Sequence, residues 1–438
     1  MREHEKIPYD SFAQQAYWGE GMRLPGQSKG LDRWFFQWQW RNTMRAEDEI
    51  DSDEPVITES GYYASYVIGA QWFDEEKTMP LVVTTKYGCD RIDFLKMFSV
   101  CFNSGIEAKE FSKIYAVDME QPRIKAPELK SVLSPLIVAH FLSIVKEIVK
   151  RGLKKDYVQR EDNLKKVKGR IAIFRNERTN IQKKRYDKVF CQYQEYSEDT
   201  VENRLIKKAL LFSQQILQVA GLSPSLLPLQ HTVHECLSAF ANVNDQIEVC
   251  EVKAIKHHKI FKEYDVAIKL AQMILHRYDY NITNITTAEE EECPVFWIDM
   301  AMLYEHYVLG LLREAYGNLI HYQVRGHTGY PDFVCYSPQV VLDTKYIPRF
   351  NQGSIDTYIV RQLSGYSRDK WIFPTQPDVH IPCVIIYPIK GEEENPFKDK
   401  PLEDFLKKDD RHLWNFHRIA VPLPMLNENQ YGKASENS

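Results

Sequence analysis

A charged triplet at the end of an apolar run constrains this chain more than any other feature. Asp343 and Lys345 directly follow residues 340–342, whose apolar and β-branched composition is typical of a buried strand. On a strand these two side chains point to one face and Thr344 points to the other. A charged group in a buried strand costs free energy unless it is paired or binds a metal. The pattern therefore predicts either an ordinary ion pair or a functional site.

A second carboxylate, Asp332, precedes this triplet by ten intervening residues. Residues 337–339 form a turn signal between two apolar runs, so we expect Asp332 on the neighbouring antiparallel strand. Asp332 faces Asp343 only if the hairpin loop holds an even number of residues, because a shift by one residue exchanges the two faces of a strand. We predict a loop of two or four residues.

Two carboxylates beside a lysine suit the hydrolysis of phosphodiesters with a divalent metal. Mg²⁺ prefers oxygen ligands and keeps several waters, so Asp332 and Asp343 are candidate ligands. The metal would polarise the phosphate and lower the pKa of its bound water. Lys345 could stabilise the developing negative charge or orient the attacking water.

Two flanking segments extend the pattern. Residues 297–312 are predicted to form a helix in which Glu305 lies among apolar neighbours, as a third metal ligand or as a solvated carboxylate. Tyr358, Gln362 and Tyr366 recur at helical spacing and share one face, where Gln362 could also be an ordinary polar residue of an amphipathic helix. The order of these elements resembles the PD-(D/E)xK nuclease superfamily, in which a Gln-x-x-x-Tyr element, here Gln362 and Tyr366, often follows the lysine.

Composition describes an ordinary globular protein with an uneven charge distribution. The 438 residues are enough for two or three domains. The polar first residues and the lack of a long apolar run predict neither a secretory signal nor a membrane span, and hence a cytoplasmic protein. The net charge is -5, yet residues 144–188 hold sixteen Lys or Arg against six Asp or Glu. This block is either a contact surface for nucleic acid or an acidic partner, or a solvated helix and loop.

The pattern along the chain predicts a multidomain protein of α/β and α+β class. We divide it into an N-terminal extension with an aromatic cluster and an acidic linker, a mixed β/α partner-engaging domain, a helical connector, a nuclease domain and a disordered tail. These regions span residues 1–55, 56–190, 191–287, 288–430 and 431–438 respectively. The nuclease domain is predicted to have a restriction-endonuclease-like fold.

Four segments narrow the nuclease resemblance to one family. They resemble the McrC family, the nuclease subunit of McrBC-type restriction systems, and comprise residues 168–170, 196–207, 264–271 and 302–305. Within the second segment, Asp199, Glu202, Asn203 and Arg204 stand at a predicted helix start, where such residues are more often structural than catalytic.

The McrC resemblance implies a division of labour between two proteins. McrC proteins act with McrB, an AAA+ GTPase that recognises methylcytosine in double-stranded DNA and is stimulated by McrC. The resemblance places Glu305, Asp332, Asp343 and Lys345 at nuclease positions and gives Thr344 a carbonyl contact to Mg²⁺. GTP would be bound by the partner, and the sequence holds no G-x-x-x-x-G-K-[ST] nucleotide loop.

Two alternatives remain at this point. The chain could be another PD-(D/E)xK DNA nuclease of repair or defence, or an activator of an AAA+ motor that does not cut. The sequence also leaves open whether residues 144–188 contact the partner's ring or DNA.

Overall fold

The computed structural model describes most of the chain. The described residues are 36–42, 57–64, 66–72, 77–78, 80–85, 92–103, 113–118, 121–126, 129–219, 227–247, 262–277, 292–347, 355–375, 380–391 and 395–425. The predicted acidic linker and the predicted disordered tail lie outside these residues. Within these ranges, every helix is too short or too polar to cross a lipid bilayer.

Strands and helices alternate in blocks along the chain. The strands are β1 Phe36–Asn42, β2 Ile57–Ala64, β3 Val67–Trp72, β4 Pro80–Val83, β5 Tyr115–Asp118, β6 Ile124–Lys125, β7 Asp156–Leu164, β8 Arg170–Ile171, β9 Val189–Ser197, β10 Glu292–Cys293, β11 Val295–Asp299, β12 Ile320–Tyr322, β13 Phe333–Tyr336, β14 Gln339–Thr344, β15 Cys383–Lys390 and β16 Phe416–Leu423. The helices are α1 Phe94–Asn103, α2 Lys130–Arg151, α3 Ile173–Asn176, α4 Val201–Val219, α5 Leu227–Ala239, α6 Lys262–Arg277, α7 Met300–Tyr316 and α8 Thr357–Tyr366.

The fold is mixed α/β, which agrees with the predicted class at that level. Residue contacts group the chain into one unit of residues 1–136 and 285–438 and a second unit of residues 137–284. The first unit thus combines the chain's two ends. The predicted division into functional regions stays a prediction, since it concerns roles as well as contacts.

The first unit contains a four-stranded antiparallel sheet in the order β4-β3-β11-β5. The predicted helix over residues 297–312 was wrong at its start, because Trp297 and Ile298 belong to β11 and pair with both neighbouring strands. The pairing with β3 and β5 supplies the backbone hydrogen bonds of these residues in place of a further helical turn. Helix α7 begins one residue after Asp299, whose carboxylate caps it by accepting from the Met302 amide at 3.0 Å.

Helix α7 lies close to α1 because Gly310 has no side chain. A Cβ at this position would stand 2.5 Å from the Val100 carbonyl oxygen. The two helices are therefore packed at a distance that only glycine permits.

A second sheet of the first unit has the order β12-β13-β14-β15-β16, antiparallel as far as β14 and parallel beyond it. Tyr336 pairs with Gln339, so the β13–β14 loop holds two residues, as the even-loop prediction required. Helix α8 covers one face, where Leu363 packs with Val341 and Ile385 in the core. Helix α7 contacts β12 and β14.

The second unit holds a three-stranded sheet, β7-β9-β8, and the helices α4, α5 and α6. Helix α2 ends at Arg151, and β7 begins at Asp156. β7 escaped prediction because its sequence, DYVQREDNL, is polar on both faces. Its nine residues pair in register with β9, so hydrogen bonding rather than apolar burial holds this hairpin.

Candidate active site

The two predicted aspartates meet at the open end of the β13–β14 hairpin. Phe333 pairs with Leu342, which places Asp332 opposite Asp343 one position further along the ladder. Asp343 is 1% exposed at the end of a strand whose preceding three residues are wholly buried. The Asp332 carboxylate accepts from the Thr344 amide at 2.7 Å and from the Thr344 hydroxyl at 2.5 Å. Sequence reasoning thus placed these aspartates correctly, and the hairpin brings them together.

Lys345 directly follows β14 and pairs with Asp343. Its ammonium contacts the Asp343 carboxylate directly, as expected for two residues that share a face of the strand. Burial acts to lower the pKa of Lys345, but the Asp343 carboxylate outweighs it, and the pKa is raised. Lys345 is therefore a cation at neutral pH. Its partner lies two residues earlier in the chain, on β14, rather than on a neighbouring strand.

Glu305 reaches the same place from α7. Its carboxylate accepts from the Gln323 side-chain amide at 3.1 Å and from the Tyr322 hydroxyl. Burial raises the pKa of Glu305, and repulsion from Asp343 adds to the increase. The carboxylate is thus half-buried, held by two donors, and electrostatically linked to the aspartates.

Asp332 has a more strongly raised pKa than Glu305. Burial raises its pKa well above the ordinary range, and repulsion from Asp343 and Glu305 raises it further. Hydrogen bonding by Thr344 and attraction by Lys345 only partly offset this. Perturbed carboxylates that crowd one another in this way are typical of functional sites.

Gln362 and Tyr366 lie on the face of α8 predicted from their spacing. The Gln362 side-chain amide donates to the Tyr366 hydroxyl at 2.9 Å, and the Gln362 carbonyl oxygen is buried with no hydrogen-bond partner among the described residues. Tyr366 interacts electrostatically with Asp343 and Lys345, so the pair borders the aspartates. Tyr358, the third member of the stripe, is largely exposed.

The loop before Asp332 closes over Tyr366. Gly329 has a φ of +138°, which side-chain-bearing residues rarely adopt, and a Cβ there would stand 3.1 Å from the Tyr366 ring. Glycine at this position therefore lets the backbone approach the site.

The donor set has the chemistry that Mg²⁺ prefers, although its geometry is incomplete. Across the described ranges, no three His, Cys, Asp or Glu side chains are close enough together to hold a metal ion. Asp332 and Asp343 supply hard oxygens, and Mg²⁺ needs only one or two carboxylates beside waters and phosphate oxygens. The carboxylates of Asp332, Asp343 and Glu305 face a single ammonium, so a divalent cation would relieve the repulsion that helps to raise the pKa values of Asp332 and Glu305. The residues fit the ion on these grounds.

Sequence reasoning missed the residues that support the site. Gln323 donates to Glu305 and lies just after β12 with a φ of +46°. The Asp369 carboxylate accepts from the backbone amide and the hydroxyl of Thr328, in the loop before Asp332. Neither residue belongs to a motif. Only folding brings them to the site, since 41 positions separate Asp369 from Thr328.

The cluster at residues 199–204 has the structural role predicted for it. Asp199 accepts two 2.8 Å hydrogen bonds from Arg204, and Lys154 pairs with Glu202 at 2.8 Å. The Asn203 side-chain amide donates to the Lys154 carbonyl at 2.9 Å. These residues join the start of α4 to the segment before β7, within the unit of residues 137–284.

The chain is similar to proteins of one restriction system. The family model for the McrBC 5-methylcytosine restriction system component matches residues 111–366. One solved structure of Thermococcus gammatolerans McrB AAA+ hexamers with bound McrC is 16% identical, covers 87% of this chain and 84% of that chain, and has a TM-score of 0.33. A second, the Thermococcus gammatolerans McrBC complex, is 14% identical, covers 68% and 79%, and has a TM-score of 0.29. TM-scores this low establish no shared arrangement, and no curated protein sequence matches the chain. Because the family model spans more than half of the residues, the chain belongs to the family of McrBC 5-methylcytosine restriction system components.

Proposed function

We propose that the chain is the DNA-cutting subunit of a modification-dependent restriction system and hydrolyses phosphodiesters in methylated double-stranded DNA with Mg²⁺. The observation that carries this proposal is the convergence of Glu305, Asp332, Asp343 and Lys345 at one end of the β13–β14 hairpin. Four charged groups in one half-buried place cost folding free energy, and a catalytic use accounts for that cost. The sheet that carries them would then be a PD-(D/E)xK nuclease core.

Each residue of the site has a role in this proposal. Asp332 and Asp343 would hold Mg²⁺, with the Thr344 carbonyl and Glu305 as further candidate ligands. When bound, the ion polarises the phosphate and lowers the pKa of its water. Lys345 keeps its proton, because its pKa is raised, and stabilises negative charge on the phosphate.

Gln362 would orient water at this site. Its side-chain nitrogen is committed to the Tyr366 hydroxyl, while its buried carbonyl oxygen has no partner among the described side chains and backbone. A buried acceptor of this kind costs about 1–3 kcal/mol unless a water or substrate group donates to it. The hydrogen bond to Tyr366 holds the Gln362 amide in place at the border of the site.

We further propose that the chain binds and stimulates an McrB-like AAA+ GTPase, which supplies GTP binding and modification recognition. Support comes from family membership and from the surface of residues 173–186. In this segment Phe174 is 86% exposed and Ile173 and Tyr186 are also largely exposed. The same segment carries five cations, namely Arg175, Arg178, Lys183, Lys184 and Arg185. Exposed apolar groups among cations suit an acidic protein surface with an apolar centre.

Cutting is tested with the purified chain, the McrB-like partner, GTP, Mg²⁺ and supercoiled methylated DNA. We expect Asp343→Ala and Lys345→Ala to lose at least about a hundred-fold in rate, as removal of transition-state contacts does. Asp404→Ala and Lys407→Ala are matched controls, because these residues form an exposed ion pair elsewhere in the same unit. Wild-type rates in the site variants would show that the catalytic assignment is wrong.

Partner activation is tested separately through GTP hydrolysis. We expect Phe174→Ser to abolish stimulation and Leu227→Ser, an exposed apolar residue on α5 of the same unit, to leave it intact. Stimulation by wild type without any cutting would favour the non-cutting activator. Cutting that needs neither partner nor GTP would favour a nuclease of another system.

A further inference from the structure

A groove of about 1120 Å³ lies near the candidate active site in the first unit. Its lining includes Arg368, Lys370 and Trp414 together with Cys383 at the start of β15. Cys383 pairs with Val341, two residues before Asp343, so the groove begins about 7 Å along the sheet from the aspartate. Cys383 also packs in the core beneath α8, where Val341 lies, so the groove opens on the face that Asp343 shares.

The accessible charge of this groove is positive. Arg368 and Lys370 are exposed, and Asp369 is the only acidic residue among its described lining. The Asp369 carboxylate is buried and committed, because it accepts from the amides of Thr328 and Trp371 and from the Thr328 hydroxyl at 2.7 to 2.9 Å. Asp369 therefore stabilises the loop before Asp332, and the exposed Arg368 and Lys370 remain available to a ligand.

Two exposed tryptophans accompany these cations, one in the groove and one next to Lys370 in the sequence. Trp414 is 87% exposed in the groove, and Trp371, next to Lys370, is 60% exposed. The Trp371 ring lies 5.9 Å from the Arg325 guanidinium and 5.6 Å from the His327 ring. Both of these residues belong to the loop that leads to Asp332. The tryptophans and cations therefore form one surface that starts beside the candidate active site.

We propose that this tryptophan surface, comprising Arg325, Arg368, Lys370, Trp371 and Trp414, binds a single-stranded stretch of DNA next to the site of cutting. Bases in a duplex are stacked on each other, whereas unpaired bases can stack on an exposed indole. Cations beside the indoles neutralise the phosphates of the same strand. The proposal rests on the proposed nuclease function, because that function supplies the DNA.

The test measures how tightly a labelled single strand and the matching duplex bind to the full chain. Binding is measured by fluorescence anisotropy in EDTA at several salt concentrations. We expect the single strand to bind more tightly than the duplex. Trp371→Ala and Trp414→Ala should each weaken single-strand binding about ten-fold, the loss of one stacked base. Arg368→Ala with Lys370→Ala should reduce the slope of log K against log salt by about 1.4, the release from two phosphates.

The matched control removes two cations elsewhere in the same unit, Lys398 and Lys400, which lie on an exposed turn. An equal loss in the control, an unchanged affinity in the tryptophan variants, or tighter binding of the duplex refutes the proposal. Cutting of methylated DNA is assayed in parallel to separate the two ideas. If the wild type cuts DNA and the groove variants bind the single strand as tightly as the wild type, only the single-strand proposal is overturned. If the wild type binds the single strand but does not cut DNA, the nuclease proposal is overturned.

Discussion

Replacing Asp199 by Asn should loosen the unit of residues 137–284 by about 2 kcal/mol. The carboxylate is buried and accepts from Arg204 twice and from the Asn244 amide at 2.9 Å. It also forms an ion pair with Arg160 at 3.0 Å. Hydrogen bonding from Arg204 is the largest effect and lowers the pKa of Asp199 from 3.8 to about 2. A shift of this size corresponds to about 2 kcal/mol at neutral pH, and the two guanidinium groups left behind would add to the loss.

The pH dependence gives this prediction its sign. Because the folded pKa of Asp199 is depressed, its contribution is complete above pH 4 and is lost as pH falls towards about 2. The wild type and Asp199→Asn should therefore differ most above pH 4 and converge below that range.

Hydrogen exchange read by mass spectrometry is the suitable assay. All eight tryptophans lie outside residues 137–284, so tryptophan fluorescence does not report on this unit. Peptides that cover the end of β9 and the start of α4 should exchange roughly thirty-fold faster in Asp199→Asn at pH 6. Peptides from β13 and β14 serve as the internal control and should not change. Unchanged protection at α4, or a difference that persists at pH 2, would refute the reasoning.

Three further substitutions test the packing. Gly329→Ala should lower the rate of DNA cutting about ten-fold with little loss of helical circular dichroism. The new Cβ would meet the Tyr366 ring, and the backbone conformation costs about 1–3 kcal/mol for residues other than glycine. An unchanged rate would contradict the role of this loop. Gly310→Ala should lower the melting temperature, since overpacking against the Val100 carbonyl costs about 1–3 kcal/mol; scanning calorimetry checks this, and a stabilised variant would be the contrary result. Asn180→Ala should expose residues 173–186 to limited proteolysis and weaken GTPase stimulation. The buried Asn180 amide donates to two other asparagine side chains, and loss of these hydrogen bonds costs about 1–3 kcal/mol. A variant cleaved no faster than the wild type would count against this prediction.

The sequence predicted the local geometry of the candidate site well. Period-two alternation put Asp343 and Lys345 on one face. The predicted loop of two or four residues is confirmed, since the loop holds two and sets Asp332 opposite Asp343. Helical spacing placed Gln362 beside Tyr366. These relations depend on neighbours within about a dozen positions, so the local pattern carries them.

Two elements whose pairing partners lie elsewhere in the chain were not predicted. Residues Trp297 and Ile298 read as the start of a helix, yet they lie in β11 between β3 and β5, more than 150 residues earlier in the chain. β7 has no apolar face to reveal it and exists because β9 pairs along its whole length. Local propensity yields in both cases to hydrogen-bonded partners that only the complete fold supplies.

The sequence by itself determined which residues are chemically able to act, namely the carboxylates, the lysine and the Gln-Tyr pair, and their order along one hairpin and one helix. Tertiary structure decided which groups support and surround them. It brought Glu305 to the aspartates from α7 and tied the loop before Asp332 to Asp369. It also placed Trp414 in a groove with Arg368 and Lys370, and Trp371 against Arg325. The physical reason is range: a strand or helix period orders side chains over a few residues, whereas burial, repulsion between carboxylates and groove shape arise only when distant segments pack together.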